Sequence, residues 1–537
     1  MDFETAIEKV YGKGTFCIIF AICLSLLTSL MAFEFQSIVF LGFSNNFNCS
    51  DERILNASSH IWISKETYND ILSGENFTKV FNASNLLEQC YALITNEIGN
   101  AQPQACEKFA YDSSMMYKTL ATDYDLVCGR KRYANGLVSA TMVASAFGHF
   151  IAAFTDRFRR RRIIIFYMLM EIFWNILTPL STNLSMVFIC RIMRVLSIPL
   201  CFITVSTLYE ILPASKRTIY GNFYWTPYCL GYLATAGLAY LTRDWRLFRY
   251  YGLLAQIIYI PIFLILPESP RWLFLNGKCE EYHKILSRLA KWNGVKLSEG
   301  IVDNLAEPTN VDKNSESVID LLRSPNVRRV LTTFCFALGA VCCSYFGLST
   351  SVNSAVDNVF LNVFILGLSE LPACLIGWIL CNYFNRRNSY IIASAFTIAS
   401  FLIAPLIRPV SDIANIVIVS IGKLMVTVEY NIIILHTAEF FPTSVRNMGF
   451  FLVMAIGTAM GGLAPYINDL STVSSFIPGV VYASMSIVAT IMVHFILPNT
   501  KNCPLPQTIS QVESLKRGNE EEWIRAMHKA ELELVDK

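Results

Sequence analysis

The sequence predicts an all-α membrane protein, with twelve transmembrane helices in two pseudo-symmetric halves of six. Three observations lead to this prediction. The 537-residue chain is 54% hydrophobic and only 16% charged, whereas soluble chains carry about 25% charged residues. Apolar stretches long enough to cross a bilayer, about 20 residues each, recur twelve times. A charged eight-residue motif follows both the fourth and the tenth of these stretches.

The twelve apolar stretches, which we number spans 1 to 12, divide evenly about a polar segment at 267–327. They lie near residues 15–43, 135–155, 163–182, 186–209, 219–241, 247–266, 328–349, 357–381, 389–407, 413–440, 447–469 and 475–497. The sequence therefore predicts an N-terminal half at 15–266 and a C-terminal half at 328–497. The polar ends are 1–14 and 498–537, and the segment between the halves is expected to form helices packed under the bundle.

The charged motif, E-x-x-P-x-S-x-R, occurs once in each half. It covers 210–217 after span 4 and 439–446 after span 10, 229 residues later. A second pair of charged loops follows spans 2 and 8, at 156–161 and 382–387. Two similar halves in a membrane protein are typical of secondary transporters, in which one half rocks against the other.

The short loops predict the orientation in the membrane. Basic residues at 157–162, 216–217 and 386–387 all fall on one side, which the positive-inside rule assigns to the cytoplasm. Both chain ends and the segment 267–327 then also lie in the cytoplasm, and the long loop 44–134 is extracellular. We therefore expect a multi-pass protein of the plasma membrane.

The predicted extracellular loop carries two features that are typical of extracellular segments, glycosylation sequons and cysteines. It holds four N-x-S/T glycosylation sequons, at Asn48, Asn56, Asn76 and Asn82. Its four cysteines permit three disulfide pairings, and they are Cys49, Cys90, Cys106 and Cys128. Glycans and disulfides both form on the lumenal or extracellular face. The loop is either a glycosylated cap or a part of substrate capture.

Motifs of several other classes are missing from the sequence. It has no G-x-x-x-x-G-K-[ST] phosphate-binding loop, so ATP is not expected to drive transport. Six scattered histidines give no metal-ligand spacing, and no hydrolase nucleophile motif occurs. A net charge of +2 gives no indication of nucleic-acid binding. We therefore expect no enzyme activity, no cofactor and no metal site.

Six plus six spans, with D-R-x-x-R-R after span 2, resemble the major facilitator superfamily. Within it, the large outer loop and the sequences at 267–272 and 438–449 are similar to those of the organic-ion transporter family, solute carrier family 22. The sequences at 345–349 and around Glu370 look most like the organic cation and carnitine branch. Further matching pieces lie at 38–43, 125–128, 370–373 and 503–508.

The sequence also departs from the family pattern. Ala152 and Arg159 replace two glycines of the superfamily loop, and Asn382 and Asn385 replace an acid and a glycine that are common in its second copy. The outer loop has four cysteines, where six are often present in the family. Two alternatives therefore remain: an organic anion transporter of the same fold, or a non-transporting membrane receptor or sensor.

The charged motifs predict a cytoplasmic gate. Proline cannot continue a helix, so it fixes the turn between two spans. Glutamate and arginine at facing helix ends can pair across the boundary between the halves, and separate when the path opens inward. Alternatively, these charges only orient the chain. The predicted gate residues are Asp156, Arg157, Arg160, Arg161, Glu210, Arg217, Glu268, Arg271, Arg386, Arg387, Glu439 and Arg446.

Three carboxylates within spans are candidates for substrate binding, because ionisable groups in lipid are costly. Glu370 matches a family acid associated with cation binding, whereas Glu34 replaces the family's usual apolar residue. Glu429 lies two residues from Asn431, about 200° around the helix, so it is expected to face a neighbouring helix. Lys423 could neutralise one of these acids. The alternative for each acid is a buried structural hydrogen bond.

The resemblance places further residues around the substrate: Trp225, Tyr228, Tyr345, Tyr430 and Asn431. Aromatic faces attract ammonium groups by roughly 0.5–2 kcal/mol per contact. Without the resemblance, these aromatic residues would be interpreted as packing residues.

Thr458 stands where the family commonly has a selectivity charge, aspartate in cation carriers and arginine in anion and carnitine carriers. The balance of the candidate charges is then negative, which favours an organic cation or zwitterion. We therefore predict a secondary transporter that moves a small organic ion across the lipid bilayer by alternating access. The sequence leaves open whether Na⁺ or H⁺ is coupled to transport.

Overall fold

The structure is a computed structural model in which long helices follow one another in the order of the predicted spans. It describes residues 14–43, 45–51, 54, 59–62, 90–95, 101–155, 158–212, 219–221, 223–265, 267–275, 277–295, 318–351, 358–442, 445–501, 506, 508–515, 518–519, 521–523 and 525.

The N-terminal half contains helices at all six predicted spans. Span 4 is interrupted before Pro199, which starts the second helix at a position where a missing N–H costs nothing. Span 1 consists of Thr15–Ser25 and Leu27–Leu41, span 2 of Lys131–Ala152, span 3 of Arg160–Leu177, span 4 of Leu184–Val195 and Pro199–Ile211, span 5 of Thr226–Thr242, and span 6 of Trp245–Ile265.

The C-terminal half repeats this arrangement. Span 7 consists of Pro325–Ser351, span 8 of Val359–Tyr383, span 9 of Arg386–Ile407, span 10 of Asp412–Phe440, span 11 of Arg446–Gly461 and Ala464–Asp469, and span 12 of Ile477–Ile496. Side-chain oxygens of Asn358 and Ser411 cap spans 8 and 10 by accepting backbone N–H groups.

Among the described residues, nine helical segments are long and apolar enough to cross a membrane. They correspond to spans 1, 2, 4 and 7 to 12. Spans 3, 5 and 6 are helical but are not among the nine, so the count of twelve crossings stays a prediction.

The halves meet along two pairs of spans, span 2 against span 11 and span 5 against span 8. Small residues allow close approach between spans within a half. A Cβ atom added to Gly231 of span 5 would lie 2.6 Å from the carbonyl oxygen of Ser29 in span 1. Such contacts through small residues are common between membrane helices, because they let the backbones pack tightly.

The loop 44–134 adds β-structure to the predicted helical fold. Strands β1 (Phe47–Cys49) and β5 (Phe109–Tyr111) form one antiparallel pair. Strands β2 (Ser59–Trp62), β3 (Tyr91–Thr95) and β4 (Ala101–Ala105) form a three-stranded antiparallel sheet.

Two disulfides connect this loop, and they select one of the three possible pairings. Cys49 binds Cys106, and Cys90 binds Cys128. Asn48, the first sequon asparagine, is exposed on β1. The other three sequon asparagines, Asn56, Asn76 and Asn82, lie outside the described residues.

The segment between the halves forms the helices Pro270–Leu275, Cys279–Trp292 and Val318–Arg323. Its contact with span 1 is direct, because the side-chain oxygen of Asn293 accepts the backbone N–H of Phe16 at 2.9 Å. After span 12, a short tail helix at Ile509–Ser514 packs against the start of span 7.

Candidate functional site

A cavity of about 70 Å³ lies between the two halves, and its wall is mainly aromatic and aliphatic. The N-terminal half contributes residues from spans 1, 2, 4 and 5, and the C-terminal half from spans 7, 8, 10 and 11. Seven of the eight residues predicted to bind substrate line this cavity: Trp225, Tyr228, Tyr345, Glu370, Tyr430, Asn431 and Thr458. Their role in substrate binding stays a prediction.

Aromatic contacts join the two halves at the cavity wall. The rings of Trp225 in span 5 and Tyr430 in span 10 are 6.4 Å apart, nearly perpendicular to each other. The hydroxyl groups of Tyr228 and Tyr345 are 3.1 Å apart, and Gln36 of span 1 donates to the Tyr345 hydroxyl at 3.3 Å. Ring faces of this kind attract cations through their quadrupole.

Glu370 is the acid of the cavity wall, and it already has a partner. The Lys423 ammonium lies 3.4 Å from a carboxylate oxygen of Glu370, and both side chains are fully buried. Lys423 also donates to the Ser349 hydroxyl at 2.5 Å and to the Tyr345 carbonyl at 3.2 Å. A bound cation would therefore have to share Glu370 with Lys423.

The prediction that Glu34 lines the cavity is wrong. Its carboxylate is buried among spans 1, 4 and 6, where it pairs with Arg194, with Arg191 at 3.4 Å and with Arg249 at 3.1 Å. Arg249 also donates to the Ser37 hydroxyl at 2.8 Å. A carboxylate in an apolar bundle needs opposite charge and hydrogen bonds, and the neighbouring helices supply both.

A signal for this cluster was present in the sequence. The three arginines are themselves ionisable residues within predicted spans, so an acid was needed among them. Pairing them with Glu34 required knowing which spans are neighbours. The correction also removes Glu34 from the charge balance of the cavity. Because Lys423 offsets Glu370, the predicted negative excess is not present at the wall.

The buried cluster continues through side-chain amides. Arg194 donates to the Asn175 side-chain oxygen at 3.0 Å, and Asn175 donates to Gln256 at 2.8 Å. Gln256 in turn donates to the Glu171 carboxylate at 2.8 Å. The network therefore connects span 3 to spans 4 and 6, and brings a second carboxylate to the arginine cluster.

Glu429 lies away from the cavity, as its angle to Asn431 predicts. Its carboxylate accepts a hydrogen bond from the Thr397 hydroxyl of span 9, and the side chain is buried. Glu429 therefore makes a buried structural hydrogen bond, which was the alternative to substrate binding for each of the three acids.

The predicted gate residue Glu439 forms an ion pair within its own half. Arg386, at the start of span 9, binds it with two nitrogens at 2.9 and 3.1 Å. The Thr500 hydroxyl donates to the same carboxylate at 2.6 Å. Glu439 therefore pairs within its own half in this structure, because the ends of spans 9 and 10 are adjacent in one bundle, and its pairing across the boundary between the halves stays a prediction.

Two further predicted gate residues, Glu268 and Arg446, also make local contacts. Glu268 accepts the backbone N–H of Arg161 at 3.2 Å, at the start of span 3. Arg446 donates to the Phe441 carbonyl at 3.2 Å. Asp156, Arg157 and Arg217, and the side chains of Glu210 and Arg271, lie outside the described part of the structure.

Direct hydrogen bonds join the halves at the other end of the spans, on the side of the loop 44–134. Asn135, in span 2, donates to Asp469 at the end of span 11 at 2.5 Å. Ser139 donates to the Gly462 carbonyl at 2.7 Å. Sequence reasoning missed these contacts, because nothing in the sequence states that the ends of spans 2 and 11 are adjacent.

Sequence reasoning also missed His149 of span 2. It is buried, lines the cavity and stands edge-on to Phe202, with ring centroids 5.3 Å apart. The sequence carried a signal for it, an ionisable residue inside an apolar span.

Comparisons with known proteins agree with this geometry. The family model described as "Sugar (and other) transporter" matches residues 66–509. The organic cation/carnitine transporter 2 of Homo sapiens is 29% identical, over 78% of this chain and 76% of that protein. The organic cation transporter-like protein of Drosophila melanogaster is 26% identical, over 96% of this chain and 93% of that protein.

Solved structures show the fold. The proton:xylose symporter XylE bound to 6-bromo-6-deoxy-D-glucose has a TM-score of 0.57 and 15% identity, over 94% of this chain and 99% of that chain. An inward open conformation of the xylose transporter XylE from E. coli has a TM-score of 0.56 and 14% identity, over 91% of this chain and 98% of that chain.

These matches confirm the predicted fold and the resemblance to solute carrier family 22. They favour a transporter over the receptor and the organic anion alternatives, and they place the chain in no enzyme class. The chain therefore belongs to the sugar (and other) transporter family of the major facilitator superfamily, and it is a multi-pass membrane transporter.

Proposed function

We propose that this protein moves a small organic cation or zwitterion across the plasma membrane by alternating access, with the cavity between the halves as its substrate site. The observation that carries the proposal is an aromatic cavity, built by both halves, with the acid Glu370 on its wall. The names of the relatives, organic cation and carnitine transporters, support the same substrate class.

The position of the cavity suits alternating access. Spans from both halves contact one another through its wall, so a rocking motion of one half separates Trp225 from Tyr430 and exposes the bound substrate. Ring faces hold an ammonium group without requiring a fixed orientation. The site can therefore bind a cation without a dedicated unpaired carboxylate.

The pair of Glu370 and Lys423 favours a zwitterion in particular. A zwitterion brings one charge for each partner, whereas a simple cation offers nothing to Lys423. Buried charges are stabilised only when they remain paired, so a ligand with both charges keeps the site neutral.

Uptake into cells expressing the protein tests the proposal. Tetraethylammonium, carnitine and an aryl carboxylate are offered side by side, with and without sodium and over a range of external pH. We expect saturable uptake of the first or second compound, and the sodium and pH series identifies the coupling ion. Preferential uptake of the aryl carboxylate, or saturable uptake of none, would overturn the proposal.

We further propose that the charged helix ends form the cytoplasmic gate. We also propose that both chain ends lie in the cytoplasm and that Asn48 carries a glycan. The support for the gate is the bidentate contact of Arg386 with Glu439, which fixes the ends of spans 9 and 10 to each other. These ends then move as one unit when the halves rock. The exposure of Asn48 supports its modification.

A further inference from the structure

One nitrogen of His149 is already used within its own helix. Nδ1 lies 2.8 Å from the carbonyl oxygen of Ser145, one turn earlier in span 2. A carbonyl oxygen only accepts hydrogen bonds, so Nδ1 must carry the hydrogen. In the neutral ring this leaves Nε2 with a lone pair, available as an acceptor.

The second nitrogen, Nε2, has no hydrogen-bond partner among the described residues, although it is buried. The ring is only 1% exposed, lines the cavity and packs between Phe202 and Phe451, with centroids 5.3 and 6.2 Å away. A buried acceptor without a donor is unfavourable, and native proteins retain few of them. A leucine would fill the same place without that cost.

We infer that Nε2 of His149 accepts a hydrogen bond from the substrate, so that the cavity selects ammonium ions that keep an N–H hydrogen over fully substituted quaternary ones. The inference rests on the proposed function, because it assumes that the cavity binds an organic cation. It makes His149, in the N-terminal half, a specificity-determining residue, whereas Glu370 lies in the C-terminal half.

The aromatic faces of the cavity and Glu370 supply less of this selection. The ring faces of Trp225 and Tyr430 attract protonated and quaternary ammonium alike, because the interaction requires charge and not an N–H group. Glu370 is engaged by Lys423. The open acceptor on His149 therefore distinguishes two cations that differ only in one N–H.

The test compares N,N-dimethylphenethylammonium, which has one N–H, with its N-methylated quaternary analogue. Uptake affinity for each is measured at one pH in wild type, His149→Leu, His149→Gln and the control His494→Leu. The leucine variant removes the acceptor, and the glutamine variant replaces it with an amide oxygen. His494 lies at the far end of span 12 and does not line the cavity.

We expect His149→Leu to lose about tenfold in affinity for the N–H substrate, the range of one hydrogen bond to a charged donor. Its affinity for the quaternary analogue should change less than about threefold by the same scale. His149→Gln should recover part of the preference, and His494→Leu should retain it all. Surface amounts of each variant are measured in the same cells.

Equal losses for both substrates in His149→Leu would assign the ring a structural role and overturn the inference. So would an unchanged preference in His149→Leu that is present at the surface. If His149→Leu does not reach the surface, His149→Gln is compared with wild type instead. Equal affinities of His149→Gln for the two substrates would then overturn the inference. Absence of saturable wild-type uptake of both compounds would overturn the proposed function itself. Saturable wild-type uptake of both compounds without preference would overturn only the inference about His149.

Discussion

Buried charges decide the chemistry of this protein at the scale of single residues. Glu34 and Glu370 both lie in spans, but their surroundings differ. Glu34 is held by three arginines away from the cavity, whereas Glu370 has one lysine and borders the cavity. An acid surrounded by fixed opposite charges stabilises the fold, and an acid with one partner beside open space can exchange that partner for a ligand.

Replacing Glu34 with glutamine should strongly destabilise the protein. The change leaves three buried guanidinium groups around a neutral amide, and breaking a buried ion pair costs about 3–5 kcal/mol. Thermal unfolding of detergent-solubilised protein measures the loss. Glu429→Gln is the matched control, because that carboxylate accepts from the Thr397 hydroxyl in the described structure, and its loss should be about 1 kcal/mol. Equal shifts would contradict the assignment of Glu34.

Replacing Lys423 should change the choice between substrates. Lys423→Gln leaves Glu370 without its cationic partner, so the carboxylate becomes free to pair with a bound cation. A zwitterion loses the ammonium group that would pair with its anionic end. We expect the ratio of carnitine to tetraethylammonium affinity to fall about tenfold or more. Lys423→Arg, which keeps the charge, should retain most of the ratio. An unchanged ratio in Lys423→Gln would show that Lys423 does not face the substrate.

At the scale of elements, the ends of the spans carry the contacts that position them. Arg386 and Glu439 join spans 9 and 10. The tail helix is fixed in a similar way, because the Glu513 carboxylate accepts the backbone N–H groups of Asn326 and Val327 at 2.9 and 3.1 Å. These donors are the unsatisfied N–H groups at the start of span 7, where negative charge is favourable.

Glu439→Gln should reduce transport while the protein remains at the cell surface. The amide cannot pair with the Arg386 charge, so the ends of spans 9 and 10 are no longer fixed in one geometry. Initial uptake rates, divided by surface amount, measure the effect. Thr500→Val is the control that removes only the neutral hydrogen bond to Glu439, and it should have a smaller effect. Normal uptake kinetics in Glu439→Gln would count against a gate role.

Glu513→Ala should lower stability by about 1 kcal/mol, the usual value of a helix N-terminal cap. The comparison is Glu521→Ala, since Glu521 is exposed and lies 3.9 Å from Arg525 at the surface, where such pairs contribute little. Thermal unfolding of both variants decides whether the tail helix is a fixed part of the C-terminal half. Identical unfolding temperatures for the two would contradict the capping contact.

At the scale of the whole molecule, the two halves meet around the cavity and at the ends of spans 2 and 11 on the side of the loop 44–134. The hydrogen bonds of Asn135 with Asp469 and of Ser139 with Gly462 close that end. The proposed alternating access requires these contacts to break when this side opens. They are neutral or singly charged and exposed or half-buried, so their loss is inexpensive.

Cross-linking this end should block transport. Cysteines introduced together at Asn135 and Asp469, joined by a short reducible bifunctional thiol reagent, would hold spans 2 and 11 together. We expect uptake to be lost after treatment and recovered after reduction, with each single variant unaffected by the same reagent. Full uptake by the cross-linked double variant would show that the halves do not separate here.

The sequence by itself determined the class of this protein. Long apolar stretches require helices, because only internally hydrogen-bonded backbone is tolerated in lipid, and the repeated E-x-x-P-x-S-x-R motif indicated two related halves. It also indicated most of the cavity, because the matches to the family covered residues from Trp225 to Thr458. These inferences depend on composition and local pattern, which the chain carries without reference to its packing.

Only the tertiary structure decided which charges are partners. Glu34, Glu370 and Glu439 are alike in sequence, as acids within or at the end of apolar spans, yet one belongs to a buried arginine cluster, one to the cavity and one to a pair within its half. Coulomb interactions act over a few ångströms, and the neighbours at that distance come from helices far apart in the chain. The order of spans along the sequence does not state which helices are in contact. The partners of each buried charge, and therefore the charge of the cavity wall, are decided only by helix packing.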